Sequence, residues 1–139
     1  MLYQLSYEAT PIALSFFTFE FTHPTYRGMW HPPVSMYKAL QGTLAKLPGE
    51  TKVYCGHEYT VKNLQFGLTV EPNNATMKQR LDEMQRLRAA NTPTVPGTIA
   101  EELLTNPFMR VTEASVLAHA KTQDPIEAMR VIRQEKDRF

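Results

Sequence analysis

From Ser35 onward, apolar residues recur at helical spacing, and prolines, glycines or capping side chains cut the pattern at short intervals. That punctuation restricts this part of the chain to a set of short helices packed on one another. Tyr37, Leu40, Leu44 and Leu47 share one helical face, and Pro48-Gly49 ends their helix. Thr51 to Tyr54 reads as a short strand running into Cys55-Gly56-His57-Glu58-Tyr59. A helix from about Thr60 buries Val61, Leu64 and Leu68 and stops at Glu71-Pro72. Asn74 is placed to cap a longer helix carrying Met77, Leu81, Met84 and Leu87 on one face, because a short polar side chain there accepts from the first free backbone N–H groups. Residues from Asn91 to Gly97, with two prolines, read as a loop. Thr98 with Glu101 forms a capping-box pattern for a helix over Ile99 to Thr105. Thr112 to Ala120 reads as another short helix, and Asp124-Pro125-Ile126-Glu127 opens the last one.

Residues 1–34 differ in character. They carry Phe16, Phe17, Phe19, Phe21, Tyr26 and Trp30, and Phe17 to Phe21 alternates as a half-buried strand would. His23-Pro24 and His31-Pro32-Pro33 then break any regular pattern. A chain of 139 residues has room for one modest domain. Its formal charge of +1 gives no electrostatic reason to expect nucleic acid or an anionic membrane as partner. The basic residues after Lys78 interleave with Glu and Asp, as on a solvated helix surface. The longest apolar stretch, Ile12 to Phe21, is interrupted by Ser15, Thr18 and Glu20 and is too short to span a bilayer. Met1 to Thr10 lacks the basic residues of a secretory leader. One cysteine, Cys55, cannot close an internal disulfide, so a reducing compartment is expected. The expected location is the cytosol, or the mitochondrial matrix if another start adds a transit peptide.

No complete catalytic set stands out. Ser115 and His119 lie one helical turn apart with no acid expected nearby to complete a triad, and no G-x-S-x-G is present. Cys55 near His57 could form a thiol–imidazole pair, but residues at a strand end point in different directions. Asn74-Ala75-Thr76 fits a glycosylation sequon, though its asparagine is already explained as a helix cap. Two features rise above these. His57 follows a strand and a glycine, an edge where scaffolds place ligands. Arg133 and Lys136 share a face near the end of the last helix, and two cations there could hold a small dianion. Each has a bland reading as well, as a structural histidine and as ordinary basic residues favoured at a helix C-terminus.

The stretches Val53-Tyr54-Cys55-Gly56-His57-Glu58-Tyr59, Asn63-Leu64, Val70-Glu71-Pro72-Asn73 and Pro93-Thr94-Val95-Pro96 occur in that order, followed by Ala100-Glu101-Glu102, Asn106-Pro107-Phe108-Met109-Arg110 and Arg133-Gln134-Glu135-Lys136-Asp137. Together they resemble glyoxalase II, the hydroxyacylglutathione hydrolase family, from Met36 to Phe139, about three quarters of the chain. The resemblance implies a mainly α fold: a small helical domain of the glyoxalase II C-terminal type over residues 60–139. Residues 35–59 would be a short β-containing remnant of a metallo-β-lactamase-type αββα domain, and residues 1–34 a segment foreign to the family. It implies hydrolysis of S-D-lactoylglutathione to D-lactate and glutathione at a dinuclear centre of zinc, often with iron or manganese. It further implies that His57 is a metal ligand and that Tyr59, Arg133 and Lys136 hold glutathione.

The departures matter as much. The family's T-H-x-H-x-D-H motif and the bridging aspartate upstream of G-H-E-Y have no counterpart here; the first aspartate is Asp82. His23 and His31 stand beside prolines in no ligand-like spacing. The basic and aromatic glutathione contacts that the family carries just before the Met36-Tyr37 helix are unmatched too. A catalytic zinc takes three protein ligands plus water, so one histidine leaves the centre unbuilt. The expectation is a truncated or alternatively spliced glyoxalase II chain that holds no stoichiometric metal, has no catalytic residue of its own and does not turn over alone. The alternative is a non-catalytic helical module that binds glutathione conjugates or a protein partner. A rebuilt metal site from His23, His31 and His57 is a third reading.

Overall fold

The computed structural model describes residues 32–139; the expected strand over Phe17 to Phe21, Trp30, His23 and His31 lie outside them. Among the described residues the chain is helical with one two-stranded clasp. The first rod begins at Pro33, two residues before the helical pattern in the sequence. It runs as α1 (Pro33–Tyr37), wide π-type turns over Lys38–Thr43, and a tight 3₁₀ turn over Leu44–Lys46. Met36, Leu40 and Leu44 are buried along it, four residues apart. In an ideal α-helix a four-residue repeat drifts sideways by about 40° per step. The wider turns bring such a repeat back toward one line. A regular helix was expected here, and the spacing of its buried residues accounts for the difference.

Strand β1 (Lys52–Val53) pairs antiparallel with β2 (Gly97–Thr98), Lys52 opposite Thr98 and Val53 opposite Gly97. This corrects the reading of Gly97 as loop. The pairing continues as Ile99 N–H to the Thr51 carbonyl at 3.0 Å and Ala100 N–H to the Gly49 carbonyl at 2.9 Å. Two distant segments are thereby clasped just before the Cys55–Tyr59 loop.

Helix α2 (Thr60–Val70) is buried on two sides. Leu64 packs with Met77 and Met84, with Val61 and Leu68 at the edge of that cluster. Phe66 and Val70, which the single-face reading left out, enter the main core with Leu40, Ile99, Met129 and Ile132. At Gly67, α2 and the next helix come so close that an added Cβ would lie 2.6 Å from Met77 Sδ. Helix α3 (Ala75–Ala89) starts at Asn74, whose side-chain oxygen accepts from Met77 N–H at 2.9 Å. Helix α4 (Ile99–Thr105) has the capping box of Thr98 and Glu101. A 3₁₀ turn over Pro107–Met109 leads into α5 (Ala114–Ala120), which starts two residues later than the sequence suggests. Helix α6 (Pro125–Lys136) is capped by Asp124 and buries Ala128, Met129 and Ile132. No described helix is long and apolar enough to cross a membrane.

Candidate functional site

A cleft opens between α2, the first rod, the 3₁₀ turn and the end of α6. It holds about 780 Å³ of non-atom space, its solvent mouth included. Its apolar wall includes Met36, Leu40, Leu64 and Phe108, and its cationic end is Arg133 and Lys136. The two cations read from sequence both line this cleft, because residues three apart on α6 stand one turn above each other.

The Lys136 ammonium lies 5.0 Å from the centre of the Phe66 ring and 5.2 Å from that of Phe139. Ring faces attract a cation but do not neutralise it. Burial pushes the Lys136 amine down to about 8, and the charges of Lys62 and Arg133 push in the same direction. Arg133 is drawn partly to Asp137, at 2.9 Å. Burial still outweighs that carboxylate and lowers the guanidinium from its ordinary value. The cleft therefore ends in concentrated, partly desolvated positive charge, and an anion entering it relieves the repulsion among the cations.

His57 and Tyr59 are brought together elsewhere. Their rings stack with centres 5.2 Å apart and planes at 26°, and neither belongs to the cleft lining. Tyr59 is exposed. Cys55 does line the cleft. Between the stacked rings in sequence, Glu58 turns away to accept from the Thr94 hydroxyl and, at 3.2 Å, from its backbone N–H. The same hydroxyl lies 2.7 Å from the Thr60 hydroxyl, and Arg88 stands 3.8 Å from Glu58. Glu58 thus fixes the loop onto the segment after α3.

The donor set does not fit a dinuclear metal centre. Among the described residues no group of three or more His, Cys, Asp or Glu side chains stands where it could hold an ion. His57 supplies one nitrogen, against the three or four protein donors a zinc site uses.

Two polar clusters escaped the sequence reading. Glu71 is buried, and its carboxylate accepts from Arg110 Nε at 2.7 Å, from a second Arg110 nitrogen at 3.0 Å and from the Ser115 hydroxyl at 2.5 Å. Burial by itself would raise this carboxyl, but the bonds and charge of Arg110, with those of Ser115 and Asn74, together hold it below its ordinary value. Ser115 therefore does have an acid nearby, as does His119, which lies 2.7 Å from Glu135. The two acids are separate, so the serine and histidine form no relay. A signal existed in the sequence: Glu71 follows the end of a helix, where the dipole disfavours an acid, so something else had to hold it.

Arg80 corrects the picture of a uniformly solvated α3 surface. Its side chain is 10% exposed. It donates to the Thr105 hydroxyl at 2.5 Å and to Glu102 at 3.2 Å, and all three residues line the cleft.

Residues 58–139 match the family model described as hydroxyacylglutathione hydrolase C-terminus. The chain is 69% identical over 104 residues to a Schistosoma mansoni protein named "Probable hydroxyacylglutathione hydrolase", covering 75% of this chain and 43% of that protein. It is 52% identical over 104 residues to "Hydroxyacylglutathione hydrolase cytoplasmic" of Arabidopsis thaliana, covering 75% and 40%. To "Hydroxyacylglutathione hydrolase-like protein" of Gallus gallus it is 48% identical over 104 residues, covering 75% and 37%. The chain thus spans about two fifths of the length of the curated relatives it matches.

Proposed function

This chain belongs to the hydroxyacylglutathione hydrolase family through that C-terminal region, and on this premise we propose that it is the glutathione-holding part of a thioester hydrolase and does not turn over alone. The observation that carries the reading is the cationic end of the cleft, where Arg133 and Lys136 stand together beside an apolar wall. Glutathione is a tripeptide with a carboxylate at each end. The Arg133 fork suits one carboxylate geometrically, and Lys136 adds a point charge. Tyr59 would offer its exposed hydroxyl from the neighbouring loop.

In the complete relatives, a dinuclear metal centre would generate the nucleophile and polarise the thioester carbonyl. Here only His57 would contribute to it. The described residues would bind and orient the glutathione part, and the nucleophile would have to come from the metal centre. Residues 35–59 would be the adjoining edge of the hydrolase domain, and 60–139 the binding domain. Lacking the remaining contacts, the chain should bind glutathione at roughly millimolar strength, worth about 4 kcal/mol. The cytosol, with abundant reduced thiols, is the proposed location.

The test combines metal content by mass spectrometry, S-D-lactoylglutathione hydrolysis, and a glutathione titration followed by NMR. The expected result is no stoichiometric metal, no turnover above background, and weak binding that Lys136→Gln reduces about tenfold. Metal near one ion per chain, with turnover abolished by His57→Ala, would refute the inactive reading.

A further inference from the structure

Lys62 does not line the cleft, but its charge acts on Lys136, which does. Lys62 is exposed on α2, one turn before Phe66, so the two share a helical face. Phe66 is the ring over which the Lys136 ammonium sits, at 5.0 Å. Lys62 is also flanked in the helix by Thr60 and Asn63, both of which line the cleft. α2 therefore carries a cation one turn from the ring beneath Lys136, beside residues that line the cleft. We infer that Lys62 is a specificity residue of this cleft, reading together with Lys136 the terminal glycine carboxylate of a glutathione-type peptide.

This inference rests on the glutathione reading of the cleft. Independent support comes from the electrostatics: after burial, Lys62 is the largest influence lowering Lys136, ahead of Arg133. Lys62 carries its charge on a long, rotatable stem, so a charge already felt at Lys136 can swing toward a carboxylate held there. Sharing it turns the repulsion between the two ammonium groups into attraction for the ligand. An exposed lysine on a four-carbon stem would otherwise spread into solvent. A ligand carboxylate therefore orders it, and the net gain is that of a surface ion pair.

The test uses the whole chain and two probes, glutathione and its glycine ethyl ester, which lacks only the terminal carboxylate charge. Lys62→Gln should weaken glutathione binding about threefold, the scale of a surface ion pair, and leave ester binding unchanged. The same variant should move the Lys136 titration, followed by its side-chain ¹³C resonance, back up toward ordinary lysine. Lys62 is solvent-exposed, so the variant should fold, with circular dichroism as the check. If Lys136→Gln weakens glutathione binding and Lys62→Gln does not, the role of Lys62 is overturned while the cleft reading stands. Equal weakening of glutathione and ester by Lys62→Gln overturns the carboxylate assignment. Loss in neither variant, or no binding by the unaltered chain, overturns both readings.

Discussion

Two clusters of charge are withdrawn from water in this small domain, and they are resolved in opposite ways. Glu71 sits among Arg110, Ser115 and Asn74, so that every influence except burial favours its charge. Lys136 sits between two phenylalanine rings, with Lys62 and Arg133 as the charges that act on it. The first cluster joins the end of α2, the turn after the 3₁₀ segment and the start of α5, and it leaves nothing for a ligand to add. The second leaves its charge unbalanced, and a ligand is what would balance it. Burial of a charge therefore does not by itself mark a site; the balance of its partners decides.

The largest expected effect tests the closed cluster. Arg110→Ala leaves the Glu71 carboxylate buried without its bidentate partner and should cost about 3–5 kcal/mol of stability. Urea unfolding would measure it. Replacing both partners by apolar residues, Glu71→Leu with Arg110→Met, should cost much less than the two single losses added together. A single-variant cost below about 1 kcal/mol would mean that the cluster behaves as a surface pair. Acid should show the same feature. The Glu71 carboxyl is lowered from 4.5 by folding, so its contribution is complete above that value. It is lost as pH falls through the lower, folded value. Glu71→Gln should remove this part of the acid slope, at a cost near neutrality of about 2 kcal/mol.

The open cluster should respond with the opposite sign. Lys136 is lowered from 10.5 to about 8 by folding, so its charged form opposes the folded state below the folded value. Stability should then rise as pH increases from about 8 toward the unfolded value. Lys136→Met should stabilise the chain near neutral pH by about 0.5–1 kcal/mol, after discounting for solvent around a half-exposed group. It should also abolish that alkaline rise. A destabilised Lys136→Met would mean that the lysine is structural and that the contrast with Glu71 fails.

Most of the architecture is legible from local chemistry. Asn74, Thr98 with Glu101, and Asp124 declare three helix starts, because a capping side chain acts within its own turn. What stays hidden depends on residues far apart in sequence. Lys52–Val53 lies within the strand read over Thr51 to Tyr54, but its partner Gly97–Thr98 is only two residues long and has no alternation to reveal the pairing. The second buried face of α2 depends on the main core lying behind Phe66 and Val70. The site divides along the same line. Arg133 and Lys136 are legible because three-residue spacing places them together on one helix. That Tyr59 stays outside the cleft, and that the charge of Lys62 acts on Lys136, depends on where separate helices come to rest, which no local pattern encodes.

The smallest effect is also the sharpest discriminator between the two clusters. If Lys136 reads an anion, its affinity for glutathione must follow its own protonation. Binding should therefore weaken as pH rises through about 8, two units earlier than an ordinary lysine would allow. Glutathione's amine and thiol titrate in the same alkaline range, so a falling affinity alone proves nothing. Lys136→Arg separates the two causes, since arginine stays charged throughout while the ligand's titration is unchanged. The ratio of the two proteins' affinities should stay flat below about pH 7 and fall in the unaltered chain by several-fold toward pH 9.5. Bound ligand should in turn raise the Lys136 titration, because binding and protonation favour each other by the same factor. A ratio that is flat across the whole range would place the recognised carboxylate away from Lys136. The lowered amine would then be a consequence of burial alone, and the open cluster would be no more a site than the closed one.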